Sequence, residues 1–408
     1  MEHYHNWRLQ NGLSVLAECH SQMKSVSLGF FVKTGSRDEP MQVNGVSHFL
    51  EHMLFKGSLT RSGHEIDETF DRMGAEYNAF TGYEYTGYYA RVLPEHLEEV
   101  FELLADLMVP ALRQEDFEVE KKVILEEIAL YEDRPGAVLQ KQATHAFFNN
   151  HPLGQEILGS GESIEALSRD QMANYFQQRY VPGNITLALA GCFEPDLIHR
   201  LAQRHCAHWE AGTIARTYPD FEANPQTLSL EKENVSRLHG VVLCPAPAYQ
   251  ASNYECMDLM VDILGHPGNS RLHWALVDKG LVDYASASFH AQDRVGVLSI
   301  SFSGAPESNE MIQQVIQQEI QRLLDEGIEE SELESARNRV LTSLAVEGEQ
   351  SLRRLFPLAF DALYEQPYRS LKQVLDGYER VGVQDIHNVL KAYPFSPQTV
   401  ATLGPPAQ

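Results

Sequence analysis

The sequence predicts an α+β protein of two homologous domains, each a mostly antiparallel sheet with helices packed on one face. Three observations carry this expectation. The first is an internal duplication. In the first half, MGAEYNAFTGYEYTGYYARVLPEHLEEVFELLADLMV runs into LRQEDFEVEKKVILEEIAL; in the second, KGLVDYASASFHAQDRVGVLSISFSGAPESNEMIQQVIQQEIQRLLDEGI runs into EESELESARNRVLTSLA. Both blocks read as hairpin strands, a Pro-containing turn, a long amphipathic helix, a short break and another helix. The second observation is that the halves begin and end alike. Each opens on strands, LSVLAE and VSLGFFVKTG in one, LSLEKE and LHGVVLC in the other. Each closes on a strand, 184–191 and 398–404, that follows a helix at about 170–179 and 385–392. The third is the stretch 208–226 between them, which lacks periodicity and carries Gly and Pro. The division expected is a first domain 1–212, a linker 213–226 and a second domain 227–408.

The composition bounds the function classes. Of 408 residues, 43% are hydrophobic and 22% charged, so the chain can bury sizeable cores. No run of about 18 apolar residues is present, which argues against a membrane span, and MEHYHNWRLQNG shows no secretory or organellar pattern. Five cysteines, odd in number and without a C-x-x-C pair, fit reduced thiols in a cytoplasmic setting. A formal net charge of -25 argues against nucleic acid or an anionic membrane as partner. It is compatible with cationic substrates, and equally serves to keep a protein dispersed. There is neither a G-x-G-x-x-G after a strand nor a P-loop, so nucleotide binding has no support.

The chemistry concentrates in GVSHFLEHMLFKGS, which contains H-x-x-E-H. On a helix His48 and His52 share a face, with Glu51 beside them. Two imidazoles so placed reach one zinc ion and leave a carboxylate next to its water. A solvated polar stripe is the plainer reading, but Val46, Phe49, Leu50, Met53, Leu54 and Phe55 surround the motif and make the helix apolar nearly all round. A buried Glu without a partner would cost several kcal/mol, roughly, and metal ligation removes that problem. A catalytic zinc wants a third protein ligand. In EDFEVEKKVILEEIALYEDRPG, the residues Phe117, Glu120, Ile124, Glu127, Ile128 and Tyr131 recur on one helical face, while Glu126 points about 100° away. Glu127 is therefore the expected third ligand. Glu120 is expected to orient a histidine, its alternative being an edge residue paired with a Lys or Arg. His205, Cys206 and His208 match no standard metal spacing and read as a helix-end surface cluster, and His3 and His5 as exposed near the terminus.

On these residues the sequence resembles the pitrilysin family of zinc metallopeptidases, the inverted-motif kind that includes insulin-degrading enzyme and the mitochondrial processing peptidase. HFLEHMLFKG is similar to the family's zinc helix, and Glu127 and Glu120 stand where the family has its distal glutamates. NAFTGYEYTGYYARV resembles the strand that pairs with bound peptide, which implies that Asn78, Ala79 and Phe80 lie along the substrate by β-augmentation. An ordinary aromatic-rich strand packing a core is the alternative there. The resemblance implies a zinc-dependent endopeptidase acting on short or unfolded peptides, with Zn2+ as cofactor and Glu51 as general base. It also implies a dimer in which a second domain faces the zinc.

The second half departs from the first. Ser343 stands where the repeat aligns with Glu127, so no second metal site is expected. The family's R-x6-Y in this half keeps its tyrosine as Tyr284, expected to hydrogen-bond the scissile carbonyl or its oxyanion, but has Val277 in place of the arginine. That substitution leaves open a homodimer, a heterodimer with an arginine-bearing partner that completes a catalytic subunit, and a non-catalytic peptidase-like scaffold.

Overall fold

The apolar runs expected as strands form two separate sheets in the computed structural model, which describes residues 2–406. The first sheet holds β1 (Glu2–Arg8), β2 (Ser14–His20), β3 (Val26–Val32), β4 (Glu76–Thr81), β5 (Thr86–Val92) and β6 (Ile185–Gly191), in the order β1-β2-β6-β3-β5-β4. Every neighbouring pair is antiparallel except β2 with β6. The central strands β3 and β6 are buried at every position, which is what covering both faces of a sheet requires. The strand β1 was not foreseen, because EHYHNWR lacks an apolar alternation; its ladder to β2, Glu2↔His20 through Arg8↔Ser14, creates it.

The second sheet holds β7 (Gln226–Glu231), β8 (Leu238–Ala246), β9 (Val282–Ala291), β10 (Gly296–Gly304) and β11 (Thr399–Gly404), in the order β7-β11-β8-β10-β9. Only β7 with β11 is parallel. Apart from β1 the two plans coincide: a closing strand lies between an opening strand parallel to it and another antiparallel to it, and a hairpin forms one edge. The duplication read from the sequence is therefore present in the topology.

Helices α1 (Val46–Leu54), α2 (Gly63–Met73), α3 (Leu97–Leu107) and α4 (Gln114–Glu132) contribute to the main core of the first sheet, with Leu28, Phe30, Phe49, Phe101 and Phe117 fully enclosed. The contiguous division expected at 212 and 227 does not describe how the chain packs. One compact unit comprises residues 1–128, 155–217 and 345–370, the other 129–154, 218–344 and 371–408. Helix α5 (Pro135–Phe148), early in the chain, packs on β8 and β11, whereas the helix Ser351–Leu363, late in the chain, packs on β3 and β6. The reason is burial. Leu16, Phe31, Ala188 and Ala190 form an apolar patch on the first sheet, and Leu355, Leu358, Ala359 and Leu363 cover it. Residues 211–225 carry neither helix nor strand.

A buried ion pair fixes this late helix to the first sheet. Arg354 donates from Nε to Glu18 Oε1 and from a terminal nitrogen to Oε2, both at 2.7 Å. Burial alone would raise the Glu18 carboxyl, but hydrogen bonds from His20 and Arg354 outweigh it and hold the pKa down to about 2. A depressed carboxyl stabilises the fold above its unfolded value of 4.5, and that stability is lost as pH falls from there towards 2. Arg354→Met should therefore cost about 3 kcal/mol at neutral pH, since it strands a buried charge. Denaturant titrations near pH 7 and pH 3 check this: the deficit of the variant should shrink at the lower pH, and an equal deficit at both would contradict the pairing.

Candidate metal centre

The site grows from the packing of α1 against α4. Val46, Phe49, Leu50, Met53 and Leu54 bury α1 on several sides, and Phe49 stacks on Phe117 of α4 with ring centroids 4.8 Å apart. One turn on from that stack in both helices, His52 Nδ1 meets Glu120 Oε1 at 2.8 Å. Two turns beyond Glu120, Glu127 comes level with both imidazoles, its Oε2 lying 3.7 Å from His48 Nε2 and 3.6 Å from His52 Nε2. Glu126 is exposed, as its angular position requires. The inward face of α4 ends sooner than expected: Phe117, Glu120, Ile124 and Ile128 are buried, but Tyr131 is exposed because it lies in the last turn of the helix.

These three donors fit a tetrahedral metal. His48, His52 and Glu127 each offer an atom, and the three lie within 4.8 Å of one another. Zinc bonds of about 2.0–2.1 Å at tetrahedral angles put ligand atoms roughly 3.3–3.4 Å apart, close to the separations here. Those separations are too long for hydrogen bonds, so the donors converge on a common point and not on each other. Desolvation, together with the charge of His52, lowers the His48 pKa to about 4, which keeps it neutral and able to ligate. Burial would lower His52 too, but Glu120 raises it by accepting its Nδ1–H. That bond leaves Nε2 of His52 as the free donor. Lys56 Nζ also pairs with Glu120 Oε2 at 2.6 Å, although Glu120 is buried and is not an edge residue. Among the described residues His48, His52 and Glu127 are the one such trio; His205, Cys206 and His208 do not form another. Cys206 is buried and its thiol is pushed up by that burial. His3 is exposed, whereas His5 is half-buried and stacked on Trp7.

Glu51 lies on α1 beside the trio, and burial raises its pKa. Thr81, which the sequence reading passed over, donates its hydroxyl to Glu51 Oε2 at 2.5 Å. Thr81 belongs to β4, the outermost strand of its sheet, so among the described residues one edge of β4 carries no strand partner. Along β4 side chains alternate. Phe80 packs with Phe356 and Phe360. Ala79 and Asn78, together with Tyr77, line a cavity shared with Glu51, His52, Phe55, Asp67 and Glu120. Phe80 therefore satisfies the alternative reading, a core aromatic, with its main chain left at the edge.

Glu39 is the second residue missed. Its buried carboxylate accepts from the Gly45 N–H at 2.6 Å, the Ser47 N–H at 2.7 Å and the Asn44 amide at 2.8 Å, which satisfies the otherwise orphaned start of α1. Gly45 has φ +94, and a Cβ there would meet the Leu158 carbonyl at 2.5 Å, so only glycine fits this approach. Ser47 and Thr34 both bond the Tyr175 hydroxyl, tying the same end of α1 into the core.

In the other unit, Tyr284 lies on β9 with 46% of its surface exposed, and its neighbour Asp283 is paired with Arg237. Val277 is half-buried against the second core. Arg271 does not replace the missing arginine: its guanidinium grips Glu332 at 2.8 Å through two nitrogens and also the Gly327 carbonyl. Ser343 lies on the helix Glu330–Gly348.

Known proteins share both units. Residues 14–161 match the family model described as insulinase, peptidase family M16, and residues 166–340 match the peptidase M16 inactive domain. A Bacillus subtilis protein named uncharacterized zinc protease YmxG is 29% identical over 402 residues, 97% of this chain and 97% of its own length. An uncharacterized zinc protease of Rickettsia felis is 28% identical over 407 residues, covering 99% of this chain and 98% of its own. A protease from Helicobacter pylori, known from its crystal structure, has the same fold, with a TM-score of 0.93 at 22% identity over 99% of this chain and 100% of that one. Among the described residues no helix is long and apolar enough to cross a membrane.

Glu39 sets a pH signature for the end of α1. Burial pushes its pKa up to about 7, against the hydrogen bonds from Ser47, Gly45 and Asn44 that act to lower it. A raised carboxyl gives its full contribution below the unfolded value of 4.5 and loses it as pH climbs to about 7. Glu39→Gln does not titrate. Unfolding of the metal-free proteins between pH 5 and 7.5 should thus show wild type losing about 2 kcal/mol relative to the variant. Parallel curves would mean that Glu39 stays ionised throughout.

Proposed function

We propose that this chain, which belongs to the insulinase family of peptidases (M16), is a zinc-dependent endopeptidase that hydrolyses short or unfolded peptides. The observation that carries the reading is the convergence of His48, His52 and Glu127 within 4.8 Å, beside Glu51, a half-buried carboxylate on the helix of the two histidines. The ion held there would lower the pKa of a bound water to about 7 and polarise the scissile carbonyl. Glu51 takes the proton of the attacking water and delivers it to the leaving amine. Glu120 keeps the His52 ring oriented with Nε2 inward. The open edge of β4 offers the main-chain groups of Asn78, Ala79 and Phe80 to an extended peptide, which would add as a further strand.

The proposal extends to a dimer in which Tyr284 of the second domain donates to the developing oxyanion. Val277 favours a second form of it, in which an arginine-bearing partner subunit completes the site. The free state of all five cysteines supports a reducing, cytoplasmic location.

Metal analysis and a peptide-library digest of the purified chain test the core of the proposal. Wild type should hold about one zinc per chain, and His52→Ala should lose it while staying folded. Glu51→Gln should keep the zinc and lose activity by about 10²-fold or more. A non-catalytic scaffold would show no cleavage by wild type, and full zinc in His52→Ala would remove the ligand assignment. Tyr284→Phe should lower kcat about 10²–10³-fold with little change in KM. If it changes nothing, the second domain takes no part in the chemistry.

A further inference from the structure

We propose that Thr81 is the positioning residue of the general base: its hydroxyl holds Glu51 by one carboxylate oxygen and leaves the other to receive and return the proton. The inference rests on the reading of Glu51 as that base.

The contact is between Thr81 Oγ1 and Glu51 Oε2, at 2.5 Å. A threonine hydroxyl has one proton and a carboxylate only accepts, so the direction of the bond is fixed. A carboxylate has two equivalent oxygens, and a free one turns either towards the water. With Oε2 already accepting, Oε1 is the more basic and the less encumbered of the two. In the forward step, the water's O–H bond breaks, its proton goes to Oε1 and its oxygen bonds to the scissile carbon. In the second, the C–N bond breaks and the proton leaves Oε1 for the departing nitrogen. Glu51 ends as the carboxylate it began as, and water plus peptide has become an acid and an amine.

The position of Thr81 gives the bond a further consequence. It is the last residue of β4, paired with Thr86 of β5, and the turn beyond it is closed by the Gly82 N–H to the Tyr85 carbonyl at 2.8 Å. Its side chain falls on the same face of β4 as Tyr77 and Ala79, which line the cavity with Glu51 and His52. The same strand offers its open edge to the peptide backbone. Thr81 thus joins the strand that orients the substrate to the carboxylate that acts on it, and a rigid hairpin holds the joint. Preorganisation of this kind fixes the base before substrate arrives.

Thr81→Val keeps the shape and removes only the hydroxyl, and Thr81→Ser keeps the hydroxyl and removes the methyl. Against a peptide that wild type cleaves, the valine variant should lose about 10- to 100-fold in kcat, the range expected for a hydrogen bond to a charged group. Its KM should stay within about twofold, because the strand edge is untouched. The serine variant should recover most of the rate. Zinc content and thermal midpoint should match wild type in both. In the metal-free proteins, infrared difference spectra against Glu51→Gln isolate the Glu51 carboxylate band, which should move in Thr81→Val and not in Thr81→Ser. A valine variant as fast as wild type, or an unmoved band, overturns the inference. So does an equal loss in both variants accompanied by raised KM, which is the mark of a damaged strand. A wild type without activity, or an active Glu51→Gln, instead brings down the reading of the base, and the inference falls with it.

Discussion

Carboxylates buried against an apolar helix are the constraint on which the first unit is organised. Glu39 and Glu120 are buried beside α1, and Glu51 is part of it. An ionised carboxylate without partners costs several kcal/mol or more in such surroundings, roughly. Each of the three has therefore acquired donors from a different element. Glu39 takes the main-chain N–H groups at the start of α1. Glu120 takes His52 and Lys56 from its far end. Glu51, in the middle, takes a hydroxyl from β4. Satisfying these carboxylates seats α1 from its amino end, its carboxyl end and its side, and His48 and His52 inherit that placement.

How much of this was legible follows from where each partner lies along the chain. The trio could be read because both of its elements are regular: four residues separate the histidines, and seven separate the two glutamates, whole turns in each case. The closing strands and the hairpins could be read because the duplication repeated their apolar patterns; the parallel pairing of the closing strands and the edge position of the hairpins could not. Glu39 gave no such signal. It caps α1 from well before the helix begins, where the usual capping position holds Gly45. Thr81 did leave one that was not used: its parity with Tyr77 and Ala79 places it on the helix-facing side of β4. The strand β1 had no pattern to show, since its order comes from pairing and not from a buried face.

The packing of helix α5 and of the helix Ser351–Leu363 was hidden for a different reason. An apolar helical face says that something will be covered and not which surface will be covered. In a duplicated chain two sheets of the same plan compete for such a face. The polar residues break the tie. Glu18 of β2 pairs in register with Ala190 of β6, and the matching register in the second sheet sets Leu230 opposite Leu403. Arg354 finds its carboxylate in Glu18 of the first sheet, and Leu230 at the matching register offers none. Burial of apolar area supplies most of the stabilisation of such a helix, and one ion pair supplies the choice of sheet.

The two units also solve one packing problem in two ways. In each, a helix between the opening strands and the hairpin meets a long helix that follows the hairpin, and polar side chains are caught where they meet. In the second unit Asp262 of the helix Tyr254–Gly265 accepts from Arg339 of the helix Glu330–Gly348, with Nε at 2.9 Å. Donor and acceptor are both present there, the charges cancel within the protein, and nothing further is called for. In the first unit the corresponding helices bring together two imidazole nitrogens and a carboxylate. None of the three closes on another, because the 3.6 and 3.7 Å gaps exceed hydrogen-bond length. On the proposed reading, a cation of two positive charges would complete that arrangement as Arg339 completes its counterpart. The difference is that an arginine fills the space it neutralises, whereas a metal with three protein ligands keeps a fourth position open to solvent and substrate. The same helix crossing therefore gives a closed strut in one unit and, on the proposed reading, an open metal site in the other.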